Sequence, residues 1–325
     1  MAETSSKPVP GFAVPNAAGH TPVHTAARYG VLGTLPPEAL TADYLTLKND
    51  AGYTPLHHAA IGGHLDQVPR SVLTAGNLSI RSNAGYNCFH AAAAHGTLGQ
   101  IPAELLTAEV FQGSSDTGNT IFHEAAEHGT IDHVPQGYMT PENMARKNLS
   151  GETVLHVAAF NGHLDQVPEK LLSGDALREV TSAGDTVFHA AAISGHLEQI
   201  PEALLVIENL RLPSKTGFTP AHAAAETGQL GKIPQAQLTA ALLSIRNDNG
   251  DTPLHAAAYE GHLDQIPASV LTAECVGIRN YDGISVAALA SQRGFISQIP
   301  ESVRPRSQGP VARLLRKLSQ TRSPF

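Results

Sequence analysis

The chain has no tryptophan, and aromatic residues make up only 5% of its 325 residues. No run of 18 consecutive apolar residues is present, so no transmembrane helix is expected. The first 16 residues lack the apolar core of a secretory signal, which predicts a cytoplasmic protein unless another export route operates. Apolar residues still reach 42%, a balance that suits closely packed helices better than a core of bulky side chains.

Charge is distributed unevenly along the chain. The whole sequence carries 21 basic and 29 acidic side chains, for a net charge of −8. Residues 301–325 hold six of the basic side chains and one acid, which leaves 15 basic and 28 acidic side chains, or −13, in residues 1–300. Because an acidic body repels phosphate, nucleic acid is not an expected partner.

Three residue types recur every 33 residues. The prolines are Pro36, Pro69, Pro102, Pro135, Pro168, Pro201, Pro234, Pro267 and Pro300. The glycines are Gly30, Gly63, Gly96, Gly129, Gly162, Gly195, Gly228, Gly261 and Gly294. The histidines are His24, His57, His90, His123, His156, His189, His222 and His255, and Ala288 replaces the histidine of the ninth unit. Nine units without insertions therefore run from about residue 18 to residue 304.

The clearest copy reads AGYTPLHHAAIGGHLDQVP from Ala51 to Pro69. Its period, its Thr-Pro-Leu-His start and its Ala-Ala…Gly-His continuation resemble ankyrin repeats over about 290 residues. The resemblance implies an all-α, ankyrin-type helical repeat solenoid of nine 33-residue units. The second half of each unit departs from the family, since the leucine-rich second helix and its Gly-Ala-Asp ending are missing.

Local signals place the helices of each unit. Thr54 is an N-cap with Pro55 at the first helical position, and Gly63 ends this helix A after about nine residues. The ring of His57 can reach back to the cap or across to the next unit. The second half of each unit would contain a second helix, helix B. Pro69 must interrupt it, because proline inside a helix costs about 3 kcal/mol. We therefore expect one turn before the proline, a new turn after it, and a short turn capped by Thr74 that contains Leu78.

The chain divides into three predicted segments. Residues 1–17 form a flexible N-terminal segment, residues 18–304 form the array with short turns or loop fingers between units, and residues 305–325 form a basic tail. The last unit is predicted to be a degenerate cap. The tail combines basic residues with leucines at helical spacing, which leaves three alternatives: a helix on the last repeat, an unstructured tail, or a membrane or partner contact.

Metal and disulfide chemistry are not expected. We call the histidines that recur every 33 residues the histidine ladder. Stacked helices lie about 8–10 Å apart, so neighbouring histidines of this ladder are too far apart to share a zinc ion. His128 and His133 stand closer in sequence, but no carboxylate or cysteine completes a ligand set with them. Cys88 and Cys275 lie more than five repeats apart, whereas a disulfide needs Cα atoms within roughly 7 Å.

Catalysis is not expected either. No nucleophile elbow, phosphate-binding glycine loop or zinc-protease motif is present. The acids of the Gly-His-Leu-Asp-Gln element, such as Asp66, suit the start of helix B, where the helix dipole favours a negative charge. We therefore predict a non-enzymatic protein without cofactors.

The predicted function is a monomeric protein–protein interaction scaffold. Positions near the end of helix A and at the loop tips vary between units, whereas the outer segments repeat nearly the same residues. The resemblance implies that the helix A and loop-tip face is concave and binds the partner. The candidate contact residues are Tyr29, Tyr53, Ile61, Tyr86, Glu127, Phe160, Ile193, Phe218, Tyr259 and Glu260. The alternatives are an enzyme with a pocket built on the solenoid and an exported effector that engages host proteins.

Overall fold

The computed structural model describes residues 10–304, and this part of the chain forms an all-α array of nine repeats. Each repeat opens with a helix A of seven or eight residues, one or two fewer than the sequence predicted. These helices are Pro22–Tyr29, Pro55–Gly62, Cys88–Ala94, Ile121–His128, Val154–Asn161, Val187–Ser194, Pro220–Glu226, Pro253–Glu260 and Val286–Arg293.

The ends of helix A follow the predicted capping chemistry. The hydroxyl of Thr54 accepts a hydrogen bond from the backbone N–H of His57, and the His57 ring accepts one from the backbone N–H of Thr54. At the other end, Gly63 has φ +77°, a left-handed conformation that glycine adopts without a steric penalty. Repeat 3 uses Asn87 as its cap, and repeat 9 uses Ser285.

The second half of each repeat is broken by the periodic proline, as predicted. A single 3-10 turn precedes the proline, and its leucine or isoleucine is buried in repeats 1 to 8. These turns are Leu32–Thr34, Leu65–Gln67, Leu98–Gln100, Ile131–His133, Leu164–Gln166, Leu197–Gln199, Leu230–Lys232, Leu263–Gln265 and Ile296–Gln298. Seven repeats add a second 3-10 turn after the proline, at Pro37–Ala39, Ala103–Leu105, Gln136–Tyr138, Glu169–Leu171, Glu202–Leu204, Gln235–Gln237 and Glu301–Val303.

A short helix then closes each of the first eight repeats. These helices are Ala42–Leu45, Ala75–Leu78, Ala108–Gln112, Pro141–Met144, Gly174–Leu177, Ile207–Leu210, Ala240–Leu243 and Ala273–Gly277. The hydroxyl of Thr74 accepts a hydrogen bond from the backbone N–H of Asn77, and Leu78 is fully buried. The predicted cap and the predicted short turn containing Leu78 are both confirmed.

The chain separates into two compact units, Met1–Leu204 and Leu205–Phe325, which we call unit 1 and unit 2. In unit 1 the A helices of repeats 1 to 6 pack against one another in series, and in unit 2 those of repeats 7 to 9 do the same. The alanine pairs of helix A, such as Ala59 and Ala60, are fully buried between neighbouring helices. Small side chains at these positions allow the close packing that the low aromatic content predicted.

Stacked turns connect the repeats. Gly151 has φ +77° in one such turn, and the backbone N–H of Leu149 in this turn donates to the carbonyl of Thr117 in the previous one. Within residues 10–304 there is no β-strand, and four isolated bridges such as Lys147 with Thr153 lie beside the turns. The predicted loop fingers are therefore short turns held together by backbone hydrogen bonds.

Other described features concern the segment boundaries and the cysteines. Residues 10–17 of the predicted N-terminal segment include a turn at Gly11–Ala13, where Phe12 packs edge-on against Tyr44.

Cys88 and Cys275 are both buried and unpaired. No helix within residues 10–304 has the length and apolar character needed to cross a membrane. The predicted tail, residues 305–325, lies outside the described residues.

Candidate partner-binding face

The loop tip of each repeat is the residue just before the N-cap of helix A, such as Asp185 before Thr186. The histidine of helix A in the preceding repeat holds this tip in place. The backbone N–H of Thr153 lies 3.2 Å from Nδ1 of His156, so Nδ1 must accept a hydrogen bond and the ring proton resides on Nε2. That Nε2–H donates to the carbonyl of Asp185, the tip of the next repeat, at 3.0 Å. The sequence left two directions open for this ring, and the structure uses both.

The same contact recurs along both units. In unit 1 it joins His24 to Tyr53, His57 to Tyr86, His90 to Asn119 and His123 to Glu152, and in unit 2 it joins His222 to Asp251 and His255 to Ile284, at 3.1–3.3 Å. Each of these imidazoles therefore holds the tip of the following repeat. All except that of His90 also accept the backbone N–H of their own N-cap residue, whereas Nδ1 of His90 lies 2.7 Å from the side-chain oxygen of Asn87. Rigid positioning of the tips lowers the entropy lost when a partner binds.

These imidazoles are held in the neutral form. Burial lowers the pKa of His57, His90 and His123 to about 4, and it also lowers the pKa of His156 and His255. Except in His90, a second proton would have to sit on Nδ1, where it would face a backbone N–H. The histidines are thus structural, as the sequence predicted.

A second ladder, of glutamines, ties the outer layer to the preceding repeat. Nε2 of Gln166 donates to the carbonyl of Gly129 at 3.0 Å, and its Oε1 accepts from the backbone N–H of Ile131 at 3.1 Å. The same pair of bonds is made by Gln67, Gln100, Gln199 and Gln298. The sequence displayed this glutamine in its repeated Leu-Asp-Gln element, but its partners 35 and 37 residues away could not be read from the repeat.

The predicted contact residues fall into two groups by exposure. Six are exposed: Tyr29, Glu127, Phe160, Ile193, Tyr259 and Glu260. Four are half-buried: Tyr53, Ile61, Tyr86 and Phe218. The half-buried aromatic tips pack on the ladder histidines; the ring centroid of Tyr53 lies 5.2 Å from that of His57, for example.

Among the exposed apolar residues that the sequence did not predict as contacts, Leu149 and Tyr281 are the most exposed. Leu149 is 77% exposed and Tyr281 is 71% exposed, and each lies two residues before a turn glycine. The equivalent turn positions hold polar residues in other repeats, such as Asp50 and Asn83. An apolar residue two positions before the turn glycine, where other repeats have a polar one, was the sequence signal for these exposed residues.

Unit 1 contains a polar cluster on helix A of repeat 4. Ligand atoms of Glu124, Glu127 and His128 lie within 4.8 Å of one another, the only such group among residues 10–304. One helical turn brings both glutamates next to His128, whereas His133, the histidine paired with it in the sequence analysis, is not part of this group. The carboxylate of buried Glu124 already accepts from Nδ2 of Asn119 at 3.0 Å, and burial raises its pKa. This arrangement forms a hydrogen-bond network around the tip of repeat 4.

Unit 2 contains a groove of about 370 Å³ on the same face, formed by repeats 7 to 9. Its acidic side chains are Glu226, Asp251 and Glu260, and no lysine or arginine lines it. Phe218 and Tyr259 supply aromatic surface. Of the predicted contact residues, the structure brings Phe218, Tyr259 and Glu260 together here.

Comparison with known families agrees with this geometry. Residues 122–205 and 155–237 match a family model described as ankyrin repeats (3 copies), and residues 249–268 match one described as ankyrin repeat. No curated protein sequence matches the chain.

Proposed function

The chain is an ankyrin-repeat protein, and we propose that it is a non-enzymatic scaffold that binds a protein partner on its helix A and loop-tip face. Ankyrin repeats generally mediate protein–protein interactions, and proteins built from them are typically not enzymes. Cytoplasmic location and a monomeric state remain predictions, which fractionation and light scattering would test.

The difference between the two faces of a repeat is the observation that carries the proposal. On the outer side, the Leu-Asp-Gln-Val-Pro element buries Leu164 and Val167 and uses Gln166 to bind the preceding repeat. The uniform sequence of this element is therefore explained by the contacts that it makes within the array. On the helix A side, Phe160 and Ile193 are 54% and 44% exposed and occupy a position that changes from repeat to repeat.

The chemistry of the exposed side chains indicates the kind of partner. Aromatic and aliphatic groups stand among acids, as at Tyr259 and Glu260 in unit 2. Large rigid side chains of this type dominate interface energetics. A partner surface with lysine or arginine around apolar groups would be complementary.

The enzymatic alternative has less support. The groove of unit 2 contains His222 and His255, the residue type most often used in acid–base catalysis. Both rings are occupied, because Nδ1 of each lies within 2.9 Å of a threonine hydroxyl and Nε2 of each binds a backbone carbonyl. Neither ring has a nitrogen left to exchange a proton with a substrate.

Affinity purification with the full chain, followed by binding measurements on the partner recovered, tests the proposal. We expect Phe160→Ala with Ile193→Ala to weaken binding at least tenfold, about 1.4 kcal/mol, without loss of helical content. Glu169→Ala with Glu202→Ala is the control, since both glutamates are exposed on the outer side of unit 1. Loss of binding in the outer pair, with no effect of the inner pair, would show that the partner uses the opposite face.

A further inference from the structure

We propose that the groove of unit 2 binds the basic C-terminal segment of its own chain, residues 305–325. Glu226, Asp251 and Glu260 bring three carboxylates to the groove wall. The nearby arginines are already engaged: Arg246 donates to the carbonyls of Gly250 and Arg279, and Arg293 stacks on the ring of Tyr259 at 4.0 Å. The groove therefore presents negative charge for an incoming cation.

The C-terminal segment has the complementary composition. Residues 305–325 contain five basic side chains and no acid: Arg306, Arg313, Arg316, Lys317 and Arg322. Leucines at 314, 315 and 318 stand between the basic residues. The groove offers matching apolar surface from Phe218, Tyr259 and Leu289. The basic and apolar side chains of the segment thus complement the acidic and apolar side chains of the groove.

The C-terminal segment begins close to the groove and is long enough to reach it. Arg304 is the last described residue, and its guanidinium binds the carbonyls of Ile299 and Ser297 in repeat 9. Repeat 9 also supplies Asn280 and Leu289 to the groove. The 21 residues that follow Arg304 span up to roughly 70 Å when extended. A tethered segment acts at an effective concentration near millimolar, so a weak intrinsic affinity suffices for occupancy.

A docked segment would cover part of the proposed binding face. An external partner with basic side chains would then compete with it for the same carboxylates. The inference uses the same face as the proposed function but does not depend on it. Failure of segment docking leaves the partner measurements at Phe160 and Ile193 unaffected.

A spin label on the full chain tests the docking directly. Ser319→Cys provides the attachment site, since Cys88 and Cys275 are buried. We expect the label to broaden the amide resonances of Glu226 and Tyr259 strongly, and those of the outer residues Asp264 and Glu274 weakly. Broadening should disappear at about 1 M salt, where the Debye length is about 3 Å.

Matched charge variants in the labelled chain complete the test. Replacing the groove acids (Glu226→Gln, Asp251→Asn, Glu260→Gln) should abolish the broadening, whereas the outer acids (Asp264→Asn, Glu274→Gln, Glu301→Gln) should leave it unchanged. Removing the basic side chains of the segment (Arg313→Gln, Arg316→Gln, Lys317→Gln) should also abolish it. The proposal is overturned if the outer residues are broadened instead, which would indicate a cap on repeat 9. It is equally overturned if broadening survives in the groove variant, or if the segment contacts only added anionic vesicles.

Discussion

Nε2 of His156 lies 3.0 Å from the backbone carbonyl oxygen of Asp185, 29 residues further along the chain. The other nitrogen of the same ring accepts from the backbone of Thr153. One buried side chain therefore links the start of a helix to the tip of the next repeat. Since the stability of a repeat array depends on such neighbour contacts, the bond couples repeats 5 and 6.

Replacing this ring should destabilise the array measurably. His156→Ala leaves the Thr153 N–H and the Asp185 carbonyl without their partner and creates a cavity. We expect the free energy of unfolding to fall by roughly 1–3 kcal/mol, measured by urea titration. Glu169→Ala is the control, because Glu169 is exposed. Equal midpoints for the two variants would mean that the ladder bond contributes nothing to stability.

The buried histidines should make stability depend on pH. Burial lowers the pKa of His57, His90 and His123 to about 4 in the folded chain, whereas an unfolded histidine titrates near 6.5. Between these values the unfolded chain binds more protons, so stability is complete above pH 6.5 and decreases as the pH falls toward 4. Each of the three histidines should remove up to about 1.4 kcal/mol per pH unit in this window.

Urea midpoints at pH 7.5 and 5.5 measure this dependence. His58 should add to it, because its Nε2 is buried without a hydrogen-bond partner and burial lowers its pKa to about 4. The variant His57→Gln, which removes one titrating ring, should show a smaller difference between the two pH values. Identical midpoints at both pH values in the wild-type chain would contradict the neutral-histidine ladder.

The glutamine ladder should be sensitive to a change of one atom. Gln166→Glu keeps the acceptor for the Ile131 N–H but places a carboxylate oxygen against the carbonyl of Gly129, where an N–H group stood. We expect a loss of roughly 1–3 kcal/mol in the free energy of unfolding. Gln136→Glu makes the same change at an exposed position and should have little effect. Similar losses in both variants would point to general charge effects.

Two glycines of unit 1 provide a matched pair for a backbone test. Gly162 has φ +76°, and a Cβ there would lie 2.7 Å from Nε2 of His196, so Gly162→Ala should cost roughly 1–2 kcal/mol from the left-handed conformation alone and more from the contact. A Cβ added at Gly99 would meet no atom of a non-adjacent residue within 4 Å, so Gly99→Ala should be neutral or slightly stabilising. Thermal melting of the two variants gives the comparison, and equal melting temperatures would contradict it.

Local structure could be predicted from the sequence because its causes are local. The Thr54 cap, the helix end at Gly63 and the break at Pro69 each depend on backbone bonds or steric contacts within a few residues. The exact 33-residue period then carried the same structure through nine repeats. Exposed contact candidates such as Phe160 followed from their place near the end of helix A.

Only the tertiary structure decided which distant atoms meet. The bonds from His57 to Tyr86 and from Gln67 to Gly30 span 29 and 37 residues and depend on the register in which the repeats stack. The same stacking half-buries Tyr53 and Tyr86 and exposes Leu149, and it brings Phe218, Tyr259 and the acids of unit 2 into one groove. A repeating sequence determines each repeat, but the distance between side chains of different repeats is determined by how closely their alanine-lined helices pack.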